Sequence, residues 1–224
     1  MTPIEHSKKV IRLVSQKSNR AILFYSGGKD SIALLDLMAA EFEEVVCVFM
    51  YFVKDLEHIN RFIRFSESKY KNVKVVQIPH WNLSQIHSMG MYCVPQKMRL
   101  LTFATTIQAM KLKLGIDYAF IGEKKSDSMA RRIKLRQYEE EAISSTNNIY
   151  PLTNWKEKDV LRYIENRRLP KPISYGKKKN RSVGLGFDAI VFAWLRENYP
   201  EDLNKILKEY PLSERILFDY DRKN

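Results

Sequence analysis

The chain has 224 residues, of which 45% are hydrophobic and 29% charged, with only 8 glycines and 8 prolines. This composition can bury a sizeable core and excludes wholesale disorder and collagen-like proteins. The longest unbroken apolar stretch, residues 45–53, is about half the roughly 18–20 residues that a membrane span needs, and the polar N-terminal stretch lacks the apolar centre of a signal peptide. Two cysteines, Cys47 and Cys93, cannot form a disulfide framework, so we expect a cytoplasmic protein without membrane contact.

The formal net charge is +12, and the excess is divided evenly along the chain. The first half holds 15 basic and 9 acidic residues, and the second half holds 23 and 17. One segment, residues 167–181, holds seven basic residues and no acidic residue: Arg167, Arg168, Lys171, Lys177, Lys178, Lys179 and Arg181. Such a segment either binds phosphates or other polyanions, or forms an ordinary solvated surface.

Apolar runs alternate with segments of helical periodicity over the first two thirds of the chain. The pattern predicts strands at residues 21–25, 45–52, 73–78 and 118–121, and helices at residues 3–18, 31–40, 55–70 and 97–114. Strands that alternate with helices require parallel crossovers. The sequence therefore predicts an α/β fold with a doubly wound, mostly parallel sheet covered on both faces.

The last third of the sequence has a different pattern. Helical segments are predicted at residues 155–166 and 187–199, joined by a connector rich in Pro, Lys and Gly at residues 169–186. These elements are too few to build a second full core. We therefore expect an α/β domain at residues 1–145 and a C-terminal helical extension, residues 146–224, that packs on it.

A polar hexapeptide lies where the first strand should meet the first sheet-covering helix. It consists of Ser26, Gly27, Gly28, Lys29, Asp30 and Ser31. The glycines free the backbone to wrap an anion, and a helix N-terminus presents unpaired N–H groups to it. The serines add hydroxyl donors and the lysine adds a positive charge. The spacing fits neither the P-loop nor the Gly-x-Gly-x-x-Gly fingerprint, and the alternative is an ordinary loop with a helix cap.

This hexapeptide resembles the PP-loop signature, Ser-Gly-Gly-x-Asp-Ser, of the ATP pyrophosphatase or adenine nucleotide α-hydrolase superfamily. Two later motifs narrow the resemblance to the phosphoadenylyl sulfate (PAPS) reductase family. Residues 122–131 are similar to its Gly-x-Arg-x-x-Glu-Ser-x-x-Arg element, with Lys124 for Arg and Asp127 for Glu. Residues 150–163 match its Pro-Leu-x-x-Trp-x-x-x-Asp-Val pattern. The resemblance covers about residues 20–190.

The resemblance implies a nucleotide site. The implied ligand is ATP, or PAPS, with Mg²⁺. The implied catalytic residues are Lys29, Asp30 and Lys124, and Asp30 is the candidate Mg²⁺ ligand. The implied nucleotide-binding residues are Ser26, Gly27, Gly28, Lys29, Asp30, Ser31, Gly122, Lys124 and Arg131. The alternatives are that Lys124 and Arg131 are surface charges and that Asp30 only stabilises a helix N-terminus. For Trp155 we favour a packing role in the core of the C-terminal extension.

The sequence departs from the family at its cysteines. Where cluster-bearing members carry a Cys-Cys pair and a Cys-x-x-Cys pair, this chain has Tyr92-Cys93 and then Leu185 and Asp188. One thiolate cannot hold an iron–sulfur cluster, so none is expected. Clusterless members use a C-terminal cysteine, and residues 214–224 contain none. Reductive cleavage of PAPS therefore has no obvious nucleophile in this chain.

The resemblance and these departures together favour a PP-loop enzyme that acts at the α-phosphate of ATP. It would release pyrophosphate and transfer an adenylyl group, as the small subunits of sulfate adenylyltransferases do. The alternatives are a PAPS-binding protein that relies on a partner's thiol, and a non-catalytic nucleotide- or nucleic-acid-binding module. The expected partner is an adenine nucleotide, and a second subunit or an acceptor protein is an open alternative. Nucleic acid is a possible partner that the sequence does not favour.

Overall fold

The computed structural model describes residues 1–176 and 186–222. Its strands are β1 (Arg20–Phe24), β2 (Glu44–Tyr51), β3 (Val73–Pro79), β4 (Ala119–Phe120) and β5 (Asn148–Ile149). Its helices are α1 (Pro3–Ser15), α2 (Lys29–Ala39), α3 (Glu57–Lys69), α4 (Leu83–Met89), α5 (Phe103–Leu114), α6 (Met129–Arg136), α7 (Glu157–Asn166), α8 (Ala189–Asn198), α9 (Pro200–Glu209) and α10 (Glu214–Asp221).

The five strands form one parallel sheet in the order β3-β2-β1-β4-β5. Side chains of β1 alternate between two cores, with Ala21 and Leu23 on one face and Ile22 and Phe24 on the other. Helices α1, α2 and α7 supply apolar side chains to the first core, and α5 and α6 supply them to the second. The predicted doubly wound α/β fold with C-terminal helices is confirmed.

The strand order creates a crevice at the carboxyl ends of the strands. From β1 the chain builds β2 and β3 on one side, then crosses over to build β4 and β5 on the other. At the carboxyl ends of the strands, the loops that follow β1 and β4 therefore lead to helices on opposite faces of the sheet, α2 and α6. Open α/β sheets bind their ligands at such topological switch points.

Helix α5 differs from its prediction. The sequence predicts a helix over residues 97–114, but α5 begins only at Phe103. The Thr102 hydroxyl accepts the Thr105 N–H at 3.1 Å and the Thr105 hydroxyl accepts the Thr102 N–H at 3.0 Å. This reciprocal capping box starts the helix there, so residues 97–102 belong to the connection from α4.

Helix α7 is fixed on α2 through a buried carboxylate. Asp36 of α2 accepts hydrogen bonds from the Tyr70 hydroxyl at 2.7 Å, the Tyr163 hydroxyl at 2.8 Å and Arg167 Nε at 2.9 Å. Burial alone would raise the pKa of Asp36, but these donors outweigh it and lower the pKa. Arg167, the first residue of the basic segment, is therefore neutralised by a carboxylate from outside that segment.

The C-terminal helices build a third core beside the sheet. Apolar side chains of α8, α9 and α10 pack there with Leu56, Ile86 and Tyr175 from earlier parts of the chain. Trp155 lies in the first core, where its Nε1–H donates to Ser7 Oγ at 2.7 Å, so its role is packing, as favoured from the sequence, but in a core that the sheet shares with the extension. The chain division at residue 145 stays a prediction. In the described parts of the chain, no helix is both long and apolar enough to cross a membrane.

Candidate functional site

Residues 26–31 lead from β1 into the first turn of α2, which begins at Lys29, and we call them the loop at residues 26–31. Its two serines close it. Ser31 Oγ donates to the Gly28 carbonyl at 2.9 Å and accepts the Ser26 N–H at 3.3 Å. Gly27 has φ +69°, and a Cβ atom there would meet no atom within 4 Å. Gly28 precedes the first turn of α2 and has no side chain to cap it. The loop therefore presents an open backbone and a helix N-terminus to the crevice.

The loop after β4 approaches this first loop closely because residue 122 is glycine. A Cβ atom on Gly122 would lie 3.3 Å from Asp30 Cβ and 3.6 Å from the Ser31 nitrogen. These separations are at or below ordinary van der Waals contact, so a larger residue would push the loops apart. Gly122 is thus a packing residue of the site.

Lys124 holds the two loops together by charge. Its side chain is 4% exposed, and its Nζ lies 2.7 Å from Asp30 Oδ1 and 3.0 Å from Asp127 Oδ1. The contact with Asp30 is close but is not aligned as a hydrogen bond. Asp127 also accepts the Lys124 backbone N–H at 2.9 Å. Lys124 is therefore buried between two carboxylates that come from different loops.

The other two predicted cations are also paired. Lys29 Nζ lies 3.6 Å from Asp30 Oδ2 and 3.7 Å from Glu157 Oε1. Arg131 Nη1 lies 3.0 Å from Asp127 Oδ2. A phosphate that binds here must therefore compete with carboxylates for its cations, and Lys29, with 13% of its side chain exposed, is more accessible than Lys124.

The structure brings the residues predicted for this site together at the switch point. Sequence reasoning missed the carboxylates Asp127 and Glu157 as partners of the cations. It also missed an apolar cavity of about 270 Å³ beside the loop. Only the part of its lining that comes from strand ends had a signal in the sequence, because parallel strands that end in apolar residues place those residues at the same end of the sheet.

The apolar cavity opens onto the loop at residues 26–31. Ser26, Gly27 and Gly28 contribute to its wall, next to the last residues of β2. The Phe52 ring stacks on the His80 ring with centroids 4.4 Å apart. The other lining residues are Tyr25, Phe49, Met50, Tyr51, Val53, Leu56, Ile59, Phe62, Ile63, Pro172, Ile173 and Tyr175. An apolar pocket beside a loop that exposes the N–H groups of a helix N-terminus suits a ligand with one flat apolar end and one anionic end.

A family model for the phosphoadenosine phosphosulfate reductase domain matches residues 20–184. The chain belongs to this family. The PAPS reductase family is part of the PP-loop adenine nucleotide α-hydrolase superfamily, and the matched region contains both loops of the site. No curated protein matches the chain.

The thiols of this PAPS reductase family protein are both buried. Burial raises the pKa of the Cys47 thiol in β2 and of the Cys93 thiol after α4. Because the thiolate is the nucleophilic form, the raised pKa disfavours attack by either cysteine. Asp188, at a family cysteine position, caps α8 by accepting the Ile190 N–H at 2.9 Å, whereas Lys177, Lys178, Lys179, Arg181 and Leu185 lie outside the described residues.

The predicted magnesium ligand, Asp30, has both carboxylate oxygens directed at ammonium groups. The described residues contain no group of three or more His, Cys, Asp or Glu side chains that could hold a metal ion. Mg²⁺ usually binds through one or two carboxylates together with substrate phosphates and water. The site therefore fits Mg²⁺ only as an ion that arrives with a nucleotide and shares Asp30.

A buried histidine fixes the far wall of the cavity. His58 Nδ1 lies 2.6 Å from Asp202 Oδ2, and His58 Nε2 lies 2.9 Å from the Tyr175 hydroxyl. A carboxylate only accepts hydrogen bonds, so Nδ1 carries the proton and Nε2 accepts from the tyrosine. Tyr175 has φ +48°, a left-handed conformation that tyrosine rarely adopts. The histidine thus holds a strained residue of the cavity wall in place.

His58 is expected to make the stability of the folded protein sensitive to acid. Burial lowers the pKa of its ring below the ordinary 6.5, despite the opposing effect of Asp202. As the pH falls through about 6.5, the unfolded chain takes up a proton at this position and the folded chain does not. The free energy of unfolding is therefore expected to fall by up to about 1.4 kcal/mol per pH unit below that point.

The measurement is urea unfolding between pH 7.5 and pH 5.5 of the unchanged protein and of His58→Gln. The variant should be less stable at pH 7.5 and show a flatter dependence on pH. A variant with the same pH dependence as the unchanged protein would show that His58 does not carry the effect. Because burial also lowers the pKa of His80, His80→Gln is the matched comparison.

Proposed function

We propose that this protein binds ATP, with Mg²⁺ on its phosphates, and cleaves the bond between the α- and β-phosphates. The observation that carries the proposal is the continuity of the apolar cavity with the PP-loop through Ser26, Gly27 and Gly28. A cavity of about 270 Å³ is near the lower limit of about 300 Å³ for small-molecule pockets. That volume suits a nucleoside inside the cavity with its phosphates outside, along the loop.

The roles of the residues follow from their places around the loop. The N–H groups at the start of α2, the hydroxyls of Ser26 and Ser31, and the Lys29 ammonium would hold phosphate oxygens. Lys124 would stabilise charge on the leaving pyrophosphate, and Mg²⁺ shared with Asp30 would supply further charge neutralisation. Such reactions need positioning and charge neutralisation more than covalent chemistry by the protein.

The proposed reaction transfers the adenylyl group to an oxygen nucleophile. The oxygen of water or of an acceptor attacks the α-phosphorus, and the bond to the bridging oxygen of the β-phosphate breaks. Pyrophosphate leaves with that bond's electron pair, and the proton of the nucleophile passes to solvent. The products are AMP, or an adenylylated acceptor, and pyrophosphate.

The family match favours a second candidate, in which PAPS is the ligand and a partner protein supplies the thiol. The buried, weakly acidic thiols of Cys47 and Cys93 argue against reduction by the chain's own cysteines. In this candidate the partner's thiolate attacks the sulfonyl sulfur. Adenosine bisphosphate leaves, and a second thiol of the partner releases sulfite by forming a disulfide.

Product analysis after separate incubations with ATP–Mg²⁺ and with PAPS plus reduced thioredoxin distinguishes these candidates. AMP and pyrophosphate support the proposal, and sulfite with adenosine bisphosphate supports the second candidate. Tight nucleotide binding without turnover would show that the protein is a non-catalytic nucleotide-binding module. Asp30→Asn should lose turnover, whereas Asp117→Asn, a matched change of an exposed residue just before β4, should keep it.

A further inference from the structure

Two segments at the carboxyl edge of the sheet are basic and contain no acidic residue. They are residues 90–102, between α4 and α5, and helix α6. Their basic side chains are Lys97, Arg99, Arg131, Arg132, Lys134 and Arg136. We call this set the basic surface. These side chains account for half of the net charge of +12, although the two segments make up about a tenth of the chain.

Packing places the two segments on the same face of the sheet, near the candidate site. The Phe103 ring, which follows the first segment, packs edge-on against Phe24 at the end of β1, with centroids 5.1 Å apart. Helix α6 follows the loop that contains Lys124 and Asp127. Phe103 and Leu135 of α6 pack in the same core. Both segments therefore flank the switch point on the same face of the sheet.

Most of the charge on the basic surface is free to meet a ligand. Arg131 and Lys134 are paired with Asp127 and Glu123. The other four side chains are exposed and form no ion pair within the described part of the chain: Lys97, Arg99, Arg132 and Arg136. Large apolar side chains are exposed among them: Met98, Leu100, Leu101, Met129 and Ile133.

We propose that the basic surface binds a single-stranded nucleic acid. Guanidinium groups pair with phosphates in a forked geometry and stack on bases. The exposed apolar side chains can contact bases only where those bases are unstacked, which favours a single strand over a duplex. A mononucleotide at the PP-loop would leave most of these cations unpaired, and a second copy of the chain would repel this surface by its like charge.

The proposal also names the acceptor class of the reaction. A strand on the basic surface lies beside the loops that would hold the α-phosphate, so it is placed to receive the adenylyl group. That role rests on the function proposed above, whereas binding of the strand does not. The two are therefore tested separately.

Binding is measured by the fluorescence anisotropy of labelled single strands of about 12 nucleotides, one RNA and one DNA, without ATP. Log affinity should fall with log salt with a slope of about −2 to −3, as expected for three or four phosphate contacts on a single strand. Binding of either strand supports the proposal. The strand that binds more tightly shows whether the ligand is RNA or DNA. Failure of both strands to bind at about 50 mM salt would overturn it.

The combined variant Arg99→Gln, Arg132→Gln, Arg136→Gln should lower the affinity at least about 10-fold and reduce the slope by about 2. Its matched control is Lys8→Gln, Lys17→Gln, Lys113→Gln, which removes the same charge from exposed positions outside the basic surface. Equal losses in both variants would overturn the proposal, because net charge alone would then explain binding.

Two further measurements separate the remaining outcomes. Poly-glutamate of the same length should compete poorly, and competition equal to that of the oligonucleotide would assign the surface to an acidic protein segment. ATP binding by calorimetry should be unchanged in the arginine variant, because none of its three residues lies in the nucleotide site. Loss of ATP binding there would contradict the separation of the two surfaces.

Discussion

Replacing Gly28 by valine is expected to lower the affinity for ATP at least about 100-fold without unfolding the protein. Gly28 has φ −78° and ψ 161°, an extended conformation that valine adopts readily. Its position lines the cavity and immediately precedes α2, so a branched side chain would occupy the space that the phosphates need. Losing two charge-assisted hydrogen bonds of about 1.5–3 kcal/mol each accounts for the expected loss.

Lys29→Ala tests the cation of the same loop. Its loss should weaken ATP binding by about 1.5–3 kcal/mol, or roughly 10- to 150-fold. Lys113→Ala removes an equivalent charge near the C-terminal end of α5, at the opposite edge of the sheet, and should leave the affinity unchanged. Calorimetric titration with a non-hydrolysable ATP analogue measures affinity, and thermal unfolding checks folding. If Gly28→Val and Lys29→Ala bind as tightly as the unchanged protein, the loop does not hold the phosphates.

The PP-loop was predictable from the sequence because its information is local. Residues 26–31 combine glycines, hydroxyls and a lysine between an apolar strand and an apolar helix, and that order places them at a helix N-terminus. The alternation of strands and helices likewise predicted the parallel sheet. Each of these features depends on neighbours within one turn or one strand.

The partners of the site cations were not predictable in this way. Lys124 meets Asp30 only because β4 lies next to β1 in the sheet. No single segment of the sequence determines the strand order. The two-residue strand β5 is too short to show a period of two. The cavity wall combines residues after β1, near the end of β2 and after α7, so its shape depends on the whole fold.

The role of His58 was also not predictable from local sequence, because its periodicity marks it only as an ordinary helix residue. Its partner Asp202 is 144 residues away. Asp202 is 1% exposed and also accepts the backbone N–H groups of Glu57 at 2.8 Å and of His58 at 2.9 Å. A carboxylate of α9 thus caps the N-terminus of α3, as a side chain within α3 would do in an ordinary helix cap.

Asp202→Ala is therefore expected to cost about 3–5 kcal/mol in the free energy of unfolding. Burial alone would raise the pKa of Asp202, but the N–H donors of His58 and Glu57 outweigh it and lower the pKa, so the group is an ionised acceptor at neutral pH. Alanine would leave three donors without an acceptor.

Urea unfolding at pH 7.5 measures the loss in the free energy of unfolding, and a change below about 1 kcal/mol would contradict this role of Asp202. Asp221→Ala is the matched control, because Asp221 pairs with Arg196 at an exposed position of the same extension, and its loss should leave the free energy of unfolding nearly unchanged. Because Tyr175 is held through His58, Asp202→Ala should also weaken ATP binding under conditions where the variant remains folded, which Asp221→Ala should not do.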